Sequence, residues 1–257
     1  MTIRTRIAPS PTGFFHIGNL RTALWDYFMA RAAGGQFLIR IEDTDQERYV
    51  PGSIEALLRT FARMGIDWDE GPVLNADGTL GEKGNFGPYT QTKRLDIYKK
   101  YADDLLAAGH AYHCFCSPER LEEMRAEQTA LKQTPKYDRK CLALSVDEVT
   151  ARVAAGEKPV IRMQMPEGTV AFDDAIRGRV SFDLKDIDDQ VIVKSNGIPT
   201  YHLAVVVDDH LMEISHVLRG EEWLSSTPKQ IVLHNMLGWI MPVYAHVPLI
   251  LNPDKTK

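Results

Sequence analysis

The chain has 257 residues, 44% hydrophobic and 25% charged, with a formal net charge of −5. That is an ordinary soluble balance for one large domain or two modest ones, with no run apolar enough to span a membrane and no signal peptide ahead of the first strand. The acidic net charge does not advertise a nucleic-acid binder, nor exclude one, because phosphate affinity depends on local Lys and Arg patches. Three cysteines, two of them clustered, fit a reducing compartment better than a disulfide framework, so a cytoplasmic location is expected.

Residues 3–8 read as the first strand. A loop with two prolines and a glycine then opens an amphipathic helix with Leu20, Leu24, Tyr27 and Phe28 at helical spacing, stopped by Gly34-Gly35. Strand, tight loop and helix in that order place the helix's free N–H groups and positive dipole end at the loop, a ready-made anion site. His16 and Asn19 sit at that end, and Gly18 lets a ligand approach the backbone. Residues 37–41 form a second strand, with Glu42-Asp43-Thr44-Asp45 directly past its end, where open α/β sheets bind ligands. Ser53 is the expected N-cap of a helix with Ile54, Leu57, Leu58 and Phe61 on one face and a stop at Gly65. This β-α-β-α order is the first half of a nucleotide-binding fold.

Past residue 67 the pattern breaks, and Gly and Asn recur through 71–87 as a connection leaving the first unit. A helix over 92–108 carries Tyr98, Tyr101, Ala102 and Leu105 and ends at Gly109. There follow a cysteine cluster, a charged helix from Ser117-Pro118, and short alternating runs at 160–165, 170–172 and 180–184. Ser195-Asn196-Gly197 makes a hairpin turn between 191–194 and 198–201. In the last portion, 204–207 reads as a buried parallel strand ending in Asp208-Asp209, and 214–218 as another ending at Arg219-Gly220. Thr227-Pro228 starts a helix with Val232, Leu233, Met236 and Leu237 inward and Gly238 as its stop. The fold class is therefore α/β: a Rossmann-like parallel sheet in two halves, 1–75 and 196–257, with an inserted α+β domain at 76–195.

Three constellations carry chemistry. His16 reads either as a helix cap or as a hydrogen-bond donor to a phosphate. Arg6 lies on a central strand, where an unpaired charge is costly, and one reading pairs it with Glu42 as a buried salt bridge. Cys114, Cys116 and Cys141 suit tetrahedral zinc, with three unmetallated thiols as the alternative. Asp208-Asp209 read as strand-end solvation or as secondary site candidates.

The stretch APSPTGFFHIGN, followed by FLIRIEDTD, resembles the opening of class I aminoacyl-tRNA synthetases and, more closely, of bacterial glutamyl-tRNA synthetases. The likeness runs on in order through GPYTQTKR, CFC, YDRKC, FDDAIRG, PTYHLAVVVDD and HVLRGEEWLSSTPKQ to NPDKTK. It implies glutamate activation by ATP and Mg²⁺, then transfer of the glutamyl group to tRNA(Glu), with 76–195 gripping the acceptor end and the protein a monomer. By resemblance, Arg6 and Tyr201 hold the side-chain carboxylate of glutamate, Ser10 and Glu42 the ammonium end, Ala8 joins them, and Arg219 holds the α-carboxylate. His16 and Asn19 are the catalytic pair at the ATP phosphates beside Gly18; Asn19 stands where the family motif often has a second histidine. Glu222, Trp223, Leu249 and Ile250 wall the adenosine. Among relatives with zinc, one pattern has a histidine where this chain has Ala143, and the other a tyrosine matched by Tyr137. Lys257 would open a mobile Lys-Leu-Ser-Lys-Arg-like loop whose second lysine is absent, which implies a truncated, ligand-binding and nearly inactive fragment. The rival readings are a glutamyl-Q tRNA(Asp) modification enzyme, a small-molecule nucleotidyltransferase, and a non-catalytic tRNA-acceptor-binding module.

Overall fold

The computed structural model describes residues 2–250; the expectation for Lys257 lies outside them. The chain opens with strand β1 (Arg4–Ile7), helix α1 (Ile17–Ala32) and strand β2 (Gln36–Ile39), and β1 and β2 pair in parallel with Arg6 opposite Leu38. The return from α1 needs glycine. Gly34 is left-handed at φ 63°, and a Cβ on Gly35 would stand 2.1 Å from the Ile3 carbonyl oxygen. Phe28 was expected inward but is 56% exposed; Ala23, Asp26 and Ala30 are the residues of α1 that are buried. Small residues let α1 lie close against β1, so the large rings are turned aside.

Helix α2 (Ser53–Arg63) buries Ile54, Leu57, Leu58 and Phe61 as expected. Its cap is Gly52 at φ 79°, not Ser53, which is the first helical residue and whose Oγ has no partner among the described residues. The left-handed cap position suits glycine and strains a serine. Residues 71–87, read as a plain connection, contain the hairpin β3 (Gly71–Leu74) and β4 (Leu80–Lys83), with Glu70 bridged to Leu38 at the free edge of β2.

Helix α3 (Leu95–Ala107) follows, then β5 (Ala111–Cys114), α4 (Pro118–Ala130), α5 (Val146–Ala154), β6 (Val160–Met163), β7 (Thr169–Asp174), β8 (Gly178–Asp183) and β9 (Val191–Val193). Strands β5, β6 and β9 form an antiparallel sheet, and β7 and β8 a separate hairpin. The turn at 195–197 is present, but its second arm is a single bridge at Pro199, and Tyr201 already begins a helix.

That helix is the largest departure from expectation. Residues 204–207 are not a strand; they lie inside helix α6 (Tyr201–Leu211), where every residue from Leu203 to Asp209 is buried. Periodicity cannot separate a buried strand from a helix that is apolar all round, and packing overrides the β preference of three valines. Helix α6 packs against α3, β9 and α7 (Thr227–Met236), in a core that runs from Leu38 and Tyr98 through Phe172 to Tyr244.

Strands β10 (His216–Gly220) and β11 (Val243–Val247) pair in parallel, Arg219 opposite His246. Strand β10 lies beside β1, where the Ser215 N–H donates to the Arg4 carbonyl at 3.0 Å. The spatial order β2–β1–β10–β11 thus reverses direction of growth at β1, and the crevice past the carboxyl ends of β1 and β10 is the topological switch point. No helix among the described residues is long and apolar enough to cross a membrane.

Candidate active site

A cleft of about 1240 Å³ opens at that switch point. The ends of β1, β10 and β11 give it Arg6, Ala8, Arg219 and Leu249, and the loop after β2 gives Glu42. Ser10, His16, Gly18, Asn19, Tyr201, Glu222, Trp223 and Ile250 line it too, so the residues expected to bind glutamate and ATP share one cavity, and the secondary candidates Asp208 and Asp209 do not line it.

Beneath it lies a buried ion cluster. Arg6 donates to both carboxylate oxygens of Asp209, at 3.0 and 3.2 Å, and not to Glu42. Arg40, fully buried, takes Glu42 at 2.8 Å and Asp209 at 2.7 Å. Asp208 accepts from Arg94 at 2.7 Å, Gln91 at 2.9 Å and Tyr98 at 2.8 Å. Asp208-Asp209 are therefore the anchor of the cluster, not a solvated strand end. Burial works to raise the Asp209 carboxyl, but Arg6 and Arg40 outweigh it and hold it at about 2. Burial dominates at Glu42, whose carboxyl is raised against the pull of Arg40 and Arg6. Arg6 lines the cleft and keeps Nη1 without a hydrogen-bond partner among the described residues.

Arg219 is held at three points. Its Nε donates to His246 Nε2 at 3.0 Å, Nη1 to the Tyr201 hydroxyl at 3.1 Å and Nη2 to the Thr227 hydroxyl at 2.8 Å. A guanidinium has five N–H groups, so one on each Nη is left for a ligand. Two N–H groups are what a carboxylate needs for a two-point contact.

His16 caps α1: its Nδ1 accepts from the Gly18 N–H at 3.1 Å. The two readings of this residue are compatible, because the cap places the remaining proton on Nε2, free to donate to an anion. Glycine suits position 18, since a Cβ would stand 3.0 Å from the imidazole and would push the ring aside. Asn19 Oδ1 is buried without a partner among the described residues, so its amide is not committed to the protein.

A family model described as tRNA synthetases class I (E and Q), catalytic domain, matches residues 2–257. The chain belongs to that family. It is 52% identical to a glutamate–tRNA ligase of Clostridioides difficile, covering 100% of this chain and 52% of that protein. A glutamate–tRNA ligase of Acinetobacter baylyi is also 52% identical, with 50% of its length covered. Among solved structures, a glutamate tRNA ligase from Elizabethkingia meningosepticum in complex with its amino acid superposes with a TM-score of 0.90 at 40% identity, over 98% of this chain and 50% of that one. The chain spans about half the length of the curated relatives it matches.

This synthetase domain has a second cluster away from the cleft. Cys114, Cys116 and Cys141 sulfurs lie within 4.8 Å of one another. The Tyr137 hydroxyl is 3.3 Å from the sulfurs of Cys114 and Cys116. Three thiols and a phenol converging on one point fit a tetrahedral zinc donor set, in which ligand atoms stand roughly 3–4 Å apart. Burial and the neighbouring sulfurs push the Tyr137 phenol up, whereas Tyr137 and Arg162 lower the Cys114 thiol despite its burial.

The residues behind the site were not anticipated. Thr227 and His246 hold Arg219, Asp174 holds His246, and Arg40 ties Glu42 to Asp209. Their one sequence signal is a polar residue inside an apolar run, as in Tyr244-Ala245-His246-Val247. Lys194, which reaches the Thr44 carbonyl at 3.0 Å across the cleft mouth, carried none.

Proposed function

We propose that this domain activates L-glutamate with ATP as the first step of a glutamate–tRNA ligase, the glutamyl group then passing to the terminal adenosine of tRNA(Glu). An oxygen of the α-carboxylate bonds to the α-phosphorus of ATP, the bond from that phosphorus to the β-bridging oxygen breaks, and pyrophosphate leaves. Arg6 and Tyr201 receive the side-chain carboxylate, Glu42 and Ser10 the ammonium group beside Ala8, and Arg219 the α-carboxylate. His16 Nε2 and Asn19 donate to the phosphates at the positive end of α1. Glu222, Trp223, Leu249 and Ile250 take the adenosine, and magnesium bound with ATP would supply neutralising charge for the phosphates. Positioning and electrostatics carry the step, with no covalent enzyme intermediate. The cysteine–tyrosine set would hold a structural zinc that staples the region around α4. The segment 76–195 is assigned to the acceptor end, which its contact with the cleft mouth through Lys194 supports.

The observation that carries this reading is that Arg6 and Arg219 line one cleft, each with its guanidinium fixed by buried partners and with N–H groups to spare. A neutral amide gives such a fork poor complementarity. Calorimetric titration of L-glutamate and L-glutamine tests it. Glutamate should bind at least about tenfold more tightly, a difference of about 1.4 kcal/mol; equal affinities overturn the reading.

A further inference from the structure

Asp174 closes β7 and leads into the turn of the β7–β8 hairpin, outside both halves of the parallel sheet. Its side chain is fully buried, and so is that of His246 on β11; Asp174 Oδ2 stands 2.5 Å from His246 Nδ1. The opposite ring nitrogen, Nε2, lies 3.0 Å from Arg219 Nε. A guanidinium N–H can only donate, so Nε2 must be the acceptor and the ring proton must sit on Nδ1, directed at Asp174. The order of donation is thus fixed: Arg219 to His246, His246 to Asp174.

The carboxylate is held in turn. Asp174 Oδ1 accepts the N–H groups of Ile176 at 3.0 Å and Arg177 at 2.9 Å, and the His246 N–H lies 3.2 Å from both oxygens. The hairpin is pinned to β11 by the Ala175 N–H on the Tyr244 carbonyl, 2.8 Å. Tyr244 also lies under the Arg219 guanidinium, 5.1 Å from its ring centroid. Burial disfavours protonation of the imidazole, against the pull of Asp174.

We infer that Asp174 and His246 are positioning residues for amino-acid recognition: by fixing the imidazole tautomer they aim Arg219 at the α-carboxylate. The inference rests on the proposed function, in which Arg219 meets that group. A histidine of the other tautomer would oppose one N–H to another and turn the guanidinium away from its Thr227 and Tyr201 anchors. Because Asp174 belongs to the β7–β8 hairpin, that hairpin is part of the amino-acid site without touching the cleft.

The test compares L-glutamate with its α-amide, in which the α-carboxylate is neutral, by calorimetry on the unmodified chain and on Asp174→Asn, His246→Phe and His246→Gln. Glutamate affinity should fall about 10- to 100-fold in Asp174→Asn and His246→Phe, while that of the α-amide changes little. His246→Gln retains a donor toward Asp174 and an acceptor toward Arg219 and should recover most of the loss. Nitrogen-15 NMR of the histidines should show His246 as the Nδ1–H tautomer in the unmodified chain and a mixture in Asp174→Asn. A parallel loss for both ligands, or unchanged glutamate affinity with the tautomer disturbed, overturns the inference and leaves the proposed function standing. An unmodified chain that does not prefer glutamate over glutamine overturns the function itself, and the inference with it.

Discussion

Arg6 and Asp209 form a two-point ion pair, Nε to Oδ1 and Nη2 to Oδ2, across the junction of β1 and α6. Asp209 also takes Arg40, so one carboxylate holds two buried guanidiniums. Replacing it by Asn leaves both positive charges without their main counter-charge. Asp209→Asn should destabilise the fold by about 3–5 kcal/mol, the cost of breaking a buried pair on one side. Urea unfolding measures it, and a loss under 1 kcal/mol, roughly a surface pair's worth, would contradict the assignment.

The same pair sets an acid limit. A carboxyl held at about 2 in the fold, against about 3.9 unfolded, contributes stability that is complete above the unfolded value. It is lost as pH falls toward 2. The share is about 2.6 kcal/mol. Unfolding free energies at pH 5 and pH 2.5 should therefore differ less in Asp209→Asn than in the unmodified chain. An equal difference in both would assign the acid sensitivity elsewhere.

His234 governs a milder range. It is 1% exposed, neither ring nitrogen has a partner among the described residues, and burial pushes the imidazole down to about 4, with Asp209 opposing and His210 assisting. The unfolded imidazole titrates near 6.5, so folded stability should be complete above that value. It should then fall by about 3 kcal/mol as pH drops toward 4. His234→Phe removes an unpaired polar ring of similar shape. It should raise stability at pH 7 by about 1 kcal/mol and flatten the profile between pH 6.5 and 4. A lower stability at pH 7 would show that the ring nitrogens are satisfied.

For the cysteine cluster, protein purified without chelator should contain about one zinc per chain, and a strong chelator should lower the melting temperature. Cys116→Ser should reduce both effects while leaving glutamate binding in the cleft intact. Full stability with three titratable thiols and no metal would sink the assignment.

Part of the site was legible because its residues stand where the chain changes element. Glu42 stands just past a strand end and His16 at a helix start, positions that follow from pattern breaks, whereas Arg6, Tyr201 and Arg219 were singled out by the resemblance to glutamyl-tRNA synthetases. The helix over 201–211 was not legible. An unbroken apolar run carries no period, and its state is decided by α3, β9 and α7 packed around it. The partners of Arg219 were hidden for a related reason. Asp174 and His246 are separated by 72 positions and come together only when the β7–β8 hairpin docks on β11.

The central claim is that one cleft grips both ends of glutamate with two guanidiniums. Calorimetric titration of L-glutamate into the unmodified chain, Arg219→Ala and Arg6→Lys tests it most directly, with thermal unfolding as the control for folding. Arg219→Ala should lose about 2–5 kcal/mol of binding free energy. Arg6→Lys should also bind weakly, because an ammonium cannot satisfy Asp209 and a ligand carboxylate with the same fork. Glutamate affinity unchanged in both folded variants would contradict the account and leave the two arginines as parts of the buried ion and hydrogen-bond networks alone.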